Sequence, residues 1–169
     1  GDYENATASV ATAISWSETA TKKSLSTGKM YLQKAALLYD QNNLKESLKT
    51  YEKAYSILKS FAGAANRNTL TALEHQILIA LKLKKTSAEK LLNKYDKTIF
   101  AELGGNFSYK LKTESIYAYF FRNQNQLMSA KSAIEAVNSM VTLEAAPITK
   151  IEALQSTYLL TTSLKEEQE

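Results

Sequence analysis

The residues that could do chemistry are few and scattered. His75 is the only histidine. As a general base it would need an orienting carboxylate, and Glu74, its sequence neighbour, points to another side of a helix. No second histidine stands at helical spacing to share a metal. The chain has no cysteine, so disulfides, thiolate metal sites and cysteine nucleophiles are excluded. Gly104-Gly105 reads as a helix stop, and Gly28-Lys29 lacks the rest of a phosphate-binding loop. No G-x-S-x-G elbow occurs. Glu46, Glu52, Glu89 and Glu114 stand on solvent faces at spacings that pair none of them as acid and base. The expectation is a protein without enzymatic activity, cofactor or metal.

The residues with the composition of a binding surface are aromatic. Tyr109, Tyr117, Tyr119, Phe120 and Phe121 crowd one helical stretch, and Tyr119 and Arg122 are three apart, hence on one face. Tyrosine and arginine dominate the energetics of protein interfaces. The same tyrosines would also serve as packing between neighbouring helices.

What positions these residues is a helical frame. The chain has 169 residues, 44% hydrophobic, with one proline and five glycines. That is one domain's worth of chain with few breakers, which favours helices over a many-turned sheet. No apolar run approaches the roughly 18 residues of a membrane span. The net charge of +4 comes almost wholly from lysine, with arginine only at Arg67 and Arg122. Because arginine is the usual reader of phosphates and base edges, this excess reads as a solvated surface and not as a nucleic-acid footprint. The start at Gly1 rather than Met fits a processed chain or one with its first residues removed. With the absence of cysteine it leans toward an extracytoplasmic setting, periplasmic or cell-surface, in a bacterium.

Amphipathic periodicity predicts helices in sequence order. Residues 2–26 carry a narrow stripe of Ala6, Val10, Ala13 and Ile14, with Trp16 off it, and Gly28 serves as the stop. A hairpin follows over 29–60. Tyr31, Ala35 and Leu38 share one face, Asn42 and Asn43 turn the corner, and Leu44, Ser47, Leu48, Tyr51, Ala54 and Leu58 face inward. A second hairpin spans 69–103, its first helix apolar nearly all round and its second burying Leu91, Leu92, Tyr95 and Ile99. A third spans 108–140, with Leu127, Ala130, Ile134 and Val137 inward on the return. Pro147 opens a capping helix over 147–164, striped by Ile148, Ile151, Leu154 and Tyr158.

These elements recur. Small residues after each corner, Ser47, Ala88 and Ala130, are spaced 41 and 42 residues apart. Ala35, Ile77 and Ala118 repeat before the corners, and Tyr51, Leu92 and Ile134 after them. One stride back from the first hairpin lands on Ala6, Val10 and Ala13, so the leading helix reads as half of a preceding unit.

The stretch ALLYDQNNLKESLKTYEKAYSIL resembles a tetratricopeptide repeat, with Ala35, Asn42, Ser47, Tyr51 and Ala54 at the positions where that family keeps its small, corner, small, aromatic and alanine residues. The match covers Tyr31–Lys59 and Glu114–Met140; in Thr69–Leu103, Ile77 and Tyr95 stand where the family prefers small side chains. The stride exceeds the family's usual 34 residues and is similar to the long-helix variant of kinesin light chains; HEAT or armadillo arrays share it. The resemblance implies a right-handed α-solenoid of antiparallel hairpins, all-α, with about seven helices in a single domain over 1–169. It implies a concave groove lined by the first helix of each unit, and so by Leu32, Ala36, Tyr39, Tyr119, Arg122 and Asn123. The function it implies is a non-enzymatic scaffold holding a protein or peptide partner. The alternative is a self-associating structural domain of a larger envelope or secreted protein, with the half-unit at Ala6–Ile14 as the interface of a homodimer.

Overall fold

The computed structural model describes residues 2–19, 24–104 and 107–143. Among these residues every regular element is a helix: α1 (Tyr3–Thr19), α2 (Leu25–Asp40), α3 (Leu44–Ala62), α4 (Arg67–Lys82), α5 (Ser87–Leu103), α6 (Phe107–Asn123) and α7 (Leu127–Leu143). The expected capping helix over 147–164 lies outside the described residues. Two compact units divide the chain within α5, one covering residues 1–91 and the other residues 92–169.

In the first unit each helix packs on the next, α1 on α2, α2 on α3, α3 on α4, and α2 also reaches α4. The α2/α3 contact is close because its residues are small. The Ser47 hydroxyl donates a 2.7 Å hydrogen bond to the Ala35 carbonyl oxygen inside the core. At the other end of the pair, a Cβ built on Gly28 would lie 2.8 Å from Leu58 Cγ and 3.2 Å from Ile57 Cγ2. Gly28 is therefore not a stop. It lies in the first turn of α2, and its lack of a side chain is what lets α3 approach. The break falls earlier. Ser24 caps α2 with a capping box, accepting from the Thr27 amide at 3.3 Å while Thr27 Oγ1 accepts from the Ser24 amide at 3.1 Å. A single helix running to Ser26, as expected, is thus interrupted at the Ser24 cap; α1 is described as far as Thr19.

The core of this unit is Tyr31 and Ala35 of α2, Leu48, Tyr51, Ala54, Tyr55, Ile57 and Leu58 of α3, and Leu70, Leu73, Ile77, Ile79 and Leu81 of α4. Each large apolar side chain contributes about 2 kcal/mol of transfer free energy. The buried residues of α4 wrap around more than one face, as expected for a helix apolar nearly all round. Its buried Gln76 is satisfied by donating to the Tyr51 and Ala72 carbonyl oxygens, both at 3.2 Å.

In the second unit Leu92, Tyr95 and Ile99 are the buried positions of α5, and α6 packs on α7. Ala118, Ala133 and Ile134 form one apolar cluster of that hairpin, Leu111 and Val137 another. Leu127, expected inward, is 44% exposed. It is the first residue of α7; the expected Ala130, Ile134 and Val137 are buried, joined by Ala133.

Three corners share one geometry. Asn42, Lys84 and Asn125 have φ of +59°, +50° and +56°, 42 and 41 residues apart. At each, the following amide donates five residues back, Asn43 to Leu38, Lys85 to Ala80 and Gln126 to Phe121, at 2.8, 2.8 and 2.9 Å. The left-handed residue itself donates three back, to Tyr39, Leu81 and Arg122, at 2.9 Å in each case. This is a Schellman-type helix end. Between these corners Gly63 and Gly104, 41 residues apart, also have positive φ.

Candidate functional site

On α2, Leu32, Ala36 and Tyr39 follow one another at spacings of four and three, so they share a face, and all three are partly buried. Tyr39 is the fixed point of that face. Its ring meets His75 of α4 edge-on, 6.0 Å between centroids at 64°. Lys82 lies with its ammonium 4.4 Å from the ring centroid and donates to the phenol oxygen. His75 in turn stacks on Tyr51 of α3, 4.8 Å away and 8° from parallel. One aromatic run thus joins α2, α4 and α3. The sequence reading missed Lys82, yet a signal was present. Lys82 follows Tyr39 by 43 residues, close to one stride, and in a stack of repeats that separation places residues on adjacent first helices.

A second polar cluster was not foreseen. Glu18 of α1, Tyr31 of α2 and Lys53 of α3 converge. The Tyr31 phenol donates to Glu18 Oε1, and Lys53 donates to the same carboxylate at 2.8 Å and to the phenol oxygen, its ammonium 4.1 Å from the ring centroid. The hydrogen bond to Glu18, then that to Tyr31, raises the Lys53 pKa. Burial, then the Glu18 hydrogen bond, raises that of Tyr31. Both groups therefore hold their protons more firmly than usual. The cluster ties three helices together, through Glu18 of α1, Tyr31 of α2 and Lys53 of α3.

On α6, Tyr119 packs against the Ala118, Ala133 and Ile134 cluster, and the Asn123 amide donates to the Tyr119 carbonyl oxygen at 2.8 Å. Arg122 is partly buried on the same side of the helix and Asn123 is exposed. Beside them the α6/α7 hairpin carries an open depression of about 410 Å³, lined by Glu114, Phe121, Met128, Ser129, Ser132 and Ala133. Burial raises the Glu114 pKa; Lys110 opposes this and Asp96 adds to it. Tyr117 and Phe121 stack at 5.8 Å, with Phe120 edge-on to Phe121 at 5.5 Å. The aromatic helix is thus partly packed against itself, and the partly buried Phe121 and the exposed Met128 of α7 present apolar surface to the depression. The depression escaped the sequence reading because Met128 belongs to no stripe.

The six expected surface residues therefore fall into two triplets, three on α2 in the first unit and three on α6 in the second. Among the described residues no group of three histidine, cysteine or acidic side chains is placed to hold a metal. No described helix is long and apolar enough to cross a membrane. Compared with known protein families and with curated proteins, the chain matches none.

Proposed function

We propose that this chain is a tetratricopeptide-like α-solenoid, a non-enzymatic scaffold whose first helices offer their exposed faces to a peptide or a segment of a partner protein. The observation that carries this reading is the recurrence of one corner geometry at Asn42, Lys84 and Asn125, at the same stride as the buried positions on either side of it. Ala35, Ile77 and Ala118 before the corners are fully buried, and so are Ser47, Ala88 and Ala130 after them, none more than 2% exposed. In this reading three stacked hairpins bury their contact faces and leave the remaining surface to be used, on α2 and α6 more than on α4, whose buried residues wrap around more than one face.

Tyr39 is the anchor of the α2 face. Its ring is held by His75 and Lys82, so a partner loses little entropy in engaging it, and Leu32 and Ala36 beside it leave room for a partner backbone. Tyr119, Arg122 and Asn123 give the α6 face an aromatic body with a cation and an amide at its edge. The test takes a peptide selected against the protein from a random-sequence display library and measures its affinity by calorimetry. Loss of a binding hot spot costs about 2 kcal/mol, roughly thirtyfold in Kd. That loss is expected for Tyr39→Ala or for the Tyr119→Ala, Arg122→Ala double variant. Unchanged affinity in both defeats this reading.

A further inference from the structure

The depression of the α6/α7 hairpin has one charged side chain in its lining, Glu114. That residue is partly buried, and burial is the main cause that raises its carboxyl pKa. Lys110, one turn earlier on α6, is exposed and opposes the rise, yet among the described residues no cation forms an ion pair with Glu114. A carboxylate that gives up water without gaining a partner is costly, and it is a feature of binding sites. The hydroxyls beside it are also uncommitted. On α6, Thr113 and Ser115 donate back to the carbonyl oxygens of Tyr109 and Leu111, at 2.9 and 3.0 Å, the usual bond of a helical hydroxyl. Ser129 and Ser132 of α7, which line the depression with Glu114, bond to no described residue. The rest of the lining is apolar, from Phe121, Met128 and Ala133. The Phe121 ring is already held by Tyr117 and Phe120.

We infer that this depression receives the lysine side chain of a partner segment, its ammonium on Glu114, Ser129 and Ser132 and its stem against Phe121, Met128 and Ala133. Complementarity of charge carries the assignment. An ammonium has three donors and no acceptor, which matches one carboxylate and two hydroxyl oxygens. The stem that carries it is apolar, as is the remainder of the lining. An acidic segment would be repelled by Glu114, and a neutral one would leave the carboxylate desolvated and unpaired. The volume of about 410 Å³ is that of a ligand site and exceeds a single lysine, so an apolar neighbour of the lysine also enters. The depression is open, which suits a side chain presented from outside. It is distinct from the Tyr119 and Arg122 face. Glu114 and Phe121 are seven apart, on one stripe of α6, and Tyr119 and Arg122 lie roughly a third of a turn around the helix. The inference therefore stands whether or not that other face is used.

The test is NMR on the full chain with methyl-labelled methionine, which gives three signals, from Met30, Met128 and Met140. The probe is the acetylated and amidated tripeptide Leu-Lys-Leu. The expected result is a saturable shift of the Met128 methyl, with Met30 of α2 unmoved. The same tripeptide with norleucine for lysine keeps the stem and loses the charge, and it binds about tenfold more weakly. So does n-butylammonium, which keeps the charge and loses the segment. Glu114→Gln raises the Kd of the lysine tripeptide about tenfold, the loss of a hydrogen bond to a charged group, and Glu114→Lys abolishes the shift. Circular dichroism and Tm verify that both variants remain folded, and the norleucine comparison needs no variant. A Met128 methyl that the lysine tripeptide leaves unmoved overturns the inference. So does equal affinity for the norleucine tripeptide, which would make the depression a plain apolar patch, or for n-butylammonium, which would make it a small-amine site. Indifference to Glu114→Gln overturns it as well.

Discussion

The Ser47 hydroxyl of α3 and the Ala35 carbonyl of α2 meet in a 2.7 Å hydrogen bond at a point where neither residue has any exposed surface. Two short side chains at the contact let the helix backbones approach until a hydroxyl on one reaches the backbone of the other. Ala35→Leu has no space to fill and is expected to cost about 3 kcal/mol. Ser47→Ala loses one hydrogen bond at nearly constant volume and is expected to cost about 1 kcal/mol. Urea unfolding of the two variants measures both. A well-tolerated Ala35→Leu would mean that the axes are further apart than described.

Gly28 makes the same point at the other end of the pair. Alanine there gains about 1 kcal/mol of helix propensity. Its Cβ would stand 2.8 Å from Leu58, which is itself fully buried. Overpacking of that kind costs about 1–3 kcal/mol, so Gly28→Ala is expected to lower stability on balance. Leu58→Val in the same chain, by withdrawing atoms from the clash, should recover part of the loss, so the two substitutions should be non-additive in a double-mutant cycle.

Of the three left-handed corner residues, Lys84 is the one whose side chain has no special tolerance for φ of +50°. Lys84→Gly is expected to raise stability by about 0.5–1 kcal/mol, the relieved strain exceeding the added freedom of the unfolded chain. Asn42→Gly and Asn125→Gly should gain less, because asparagine already accepts this conformation. Thermal melts of the three variants rank them. If Lys84→Gly were destabilising, the corner at 84 would not be equivalent to the other two.

Tyr51 gives the fold an alkaline limit. Burial is the main cause that raises its phenol pKa well above the ordinary 10.0, with the charges of Asp40 and Tyr39 adding to it. A group whose pKa is higher in the folded state contributes stability that is complete below the unfolded value and declines as pH rises beyond it. Stability is therefore expected to fall above pH 10, and Tyr51→Phe should flatten that fall. Urea unfolding at neutral pH and at one unit above the ordinary phenol value checks this. Equal slopes in the two proteins would place the sensitivity elsewhere, with Tyr31 the next group to test.

Helix content and corner positions were legible because they depend on short-range signals. Asn42 and Asn125 accept positive φ, and the spacing of Tyr51, Ala54 and Leu58 names a buried face by itself. Lys84 carries no such mark; only its stride from Asn42 places it. Gly28 was misread because a glycine in sequence looks alike whether it ends a helix or admits a neighbouring one, and only the packing of Leu58 decides. The ties of Tyr31 to Glu18 and Lys53, and of Tyr39 to Lys82, bridge helices that periodicity treats separately. Trp16 lies off the α1 stripe in the sequence, and the structure leaves it 74% exposed.

The most direct test of the scaffold reading is a map of where a bound segment touches the protein. Backbone and methyl NMR shifts of the labelled protein would be followed while the library-selected peptide is titrated in. The account predicts perturbations centred on Leu32, Ala36 and Tyr39 of α2 and on Tyr119, Arg122 and Asn123 of α6. Shifts confined to the solvent side of α3, at Lys45, Lys49 and Glu52, would contradict it.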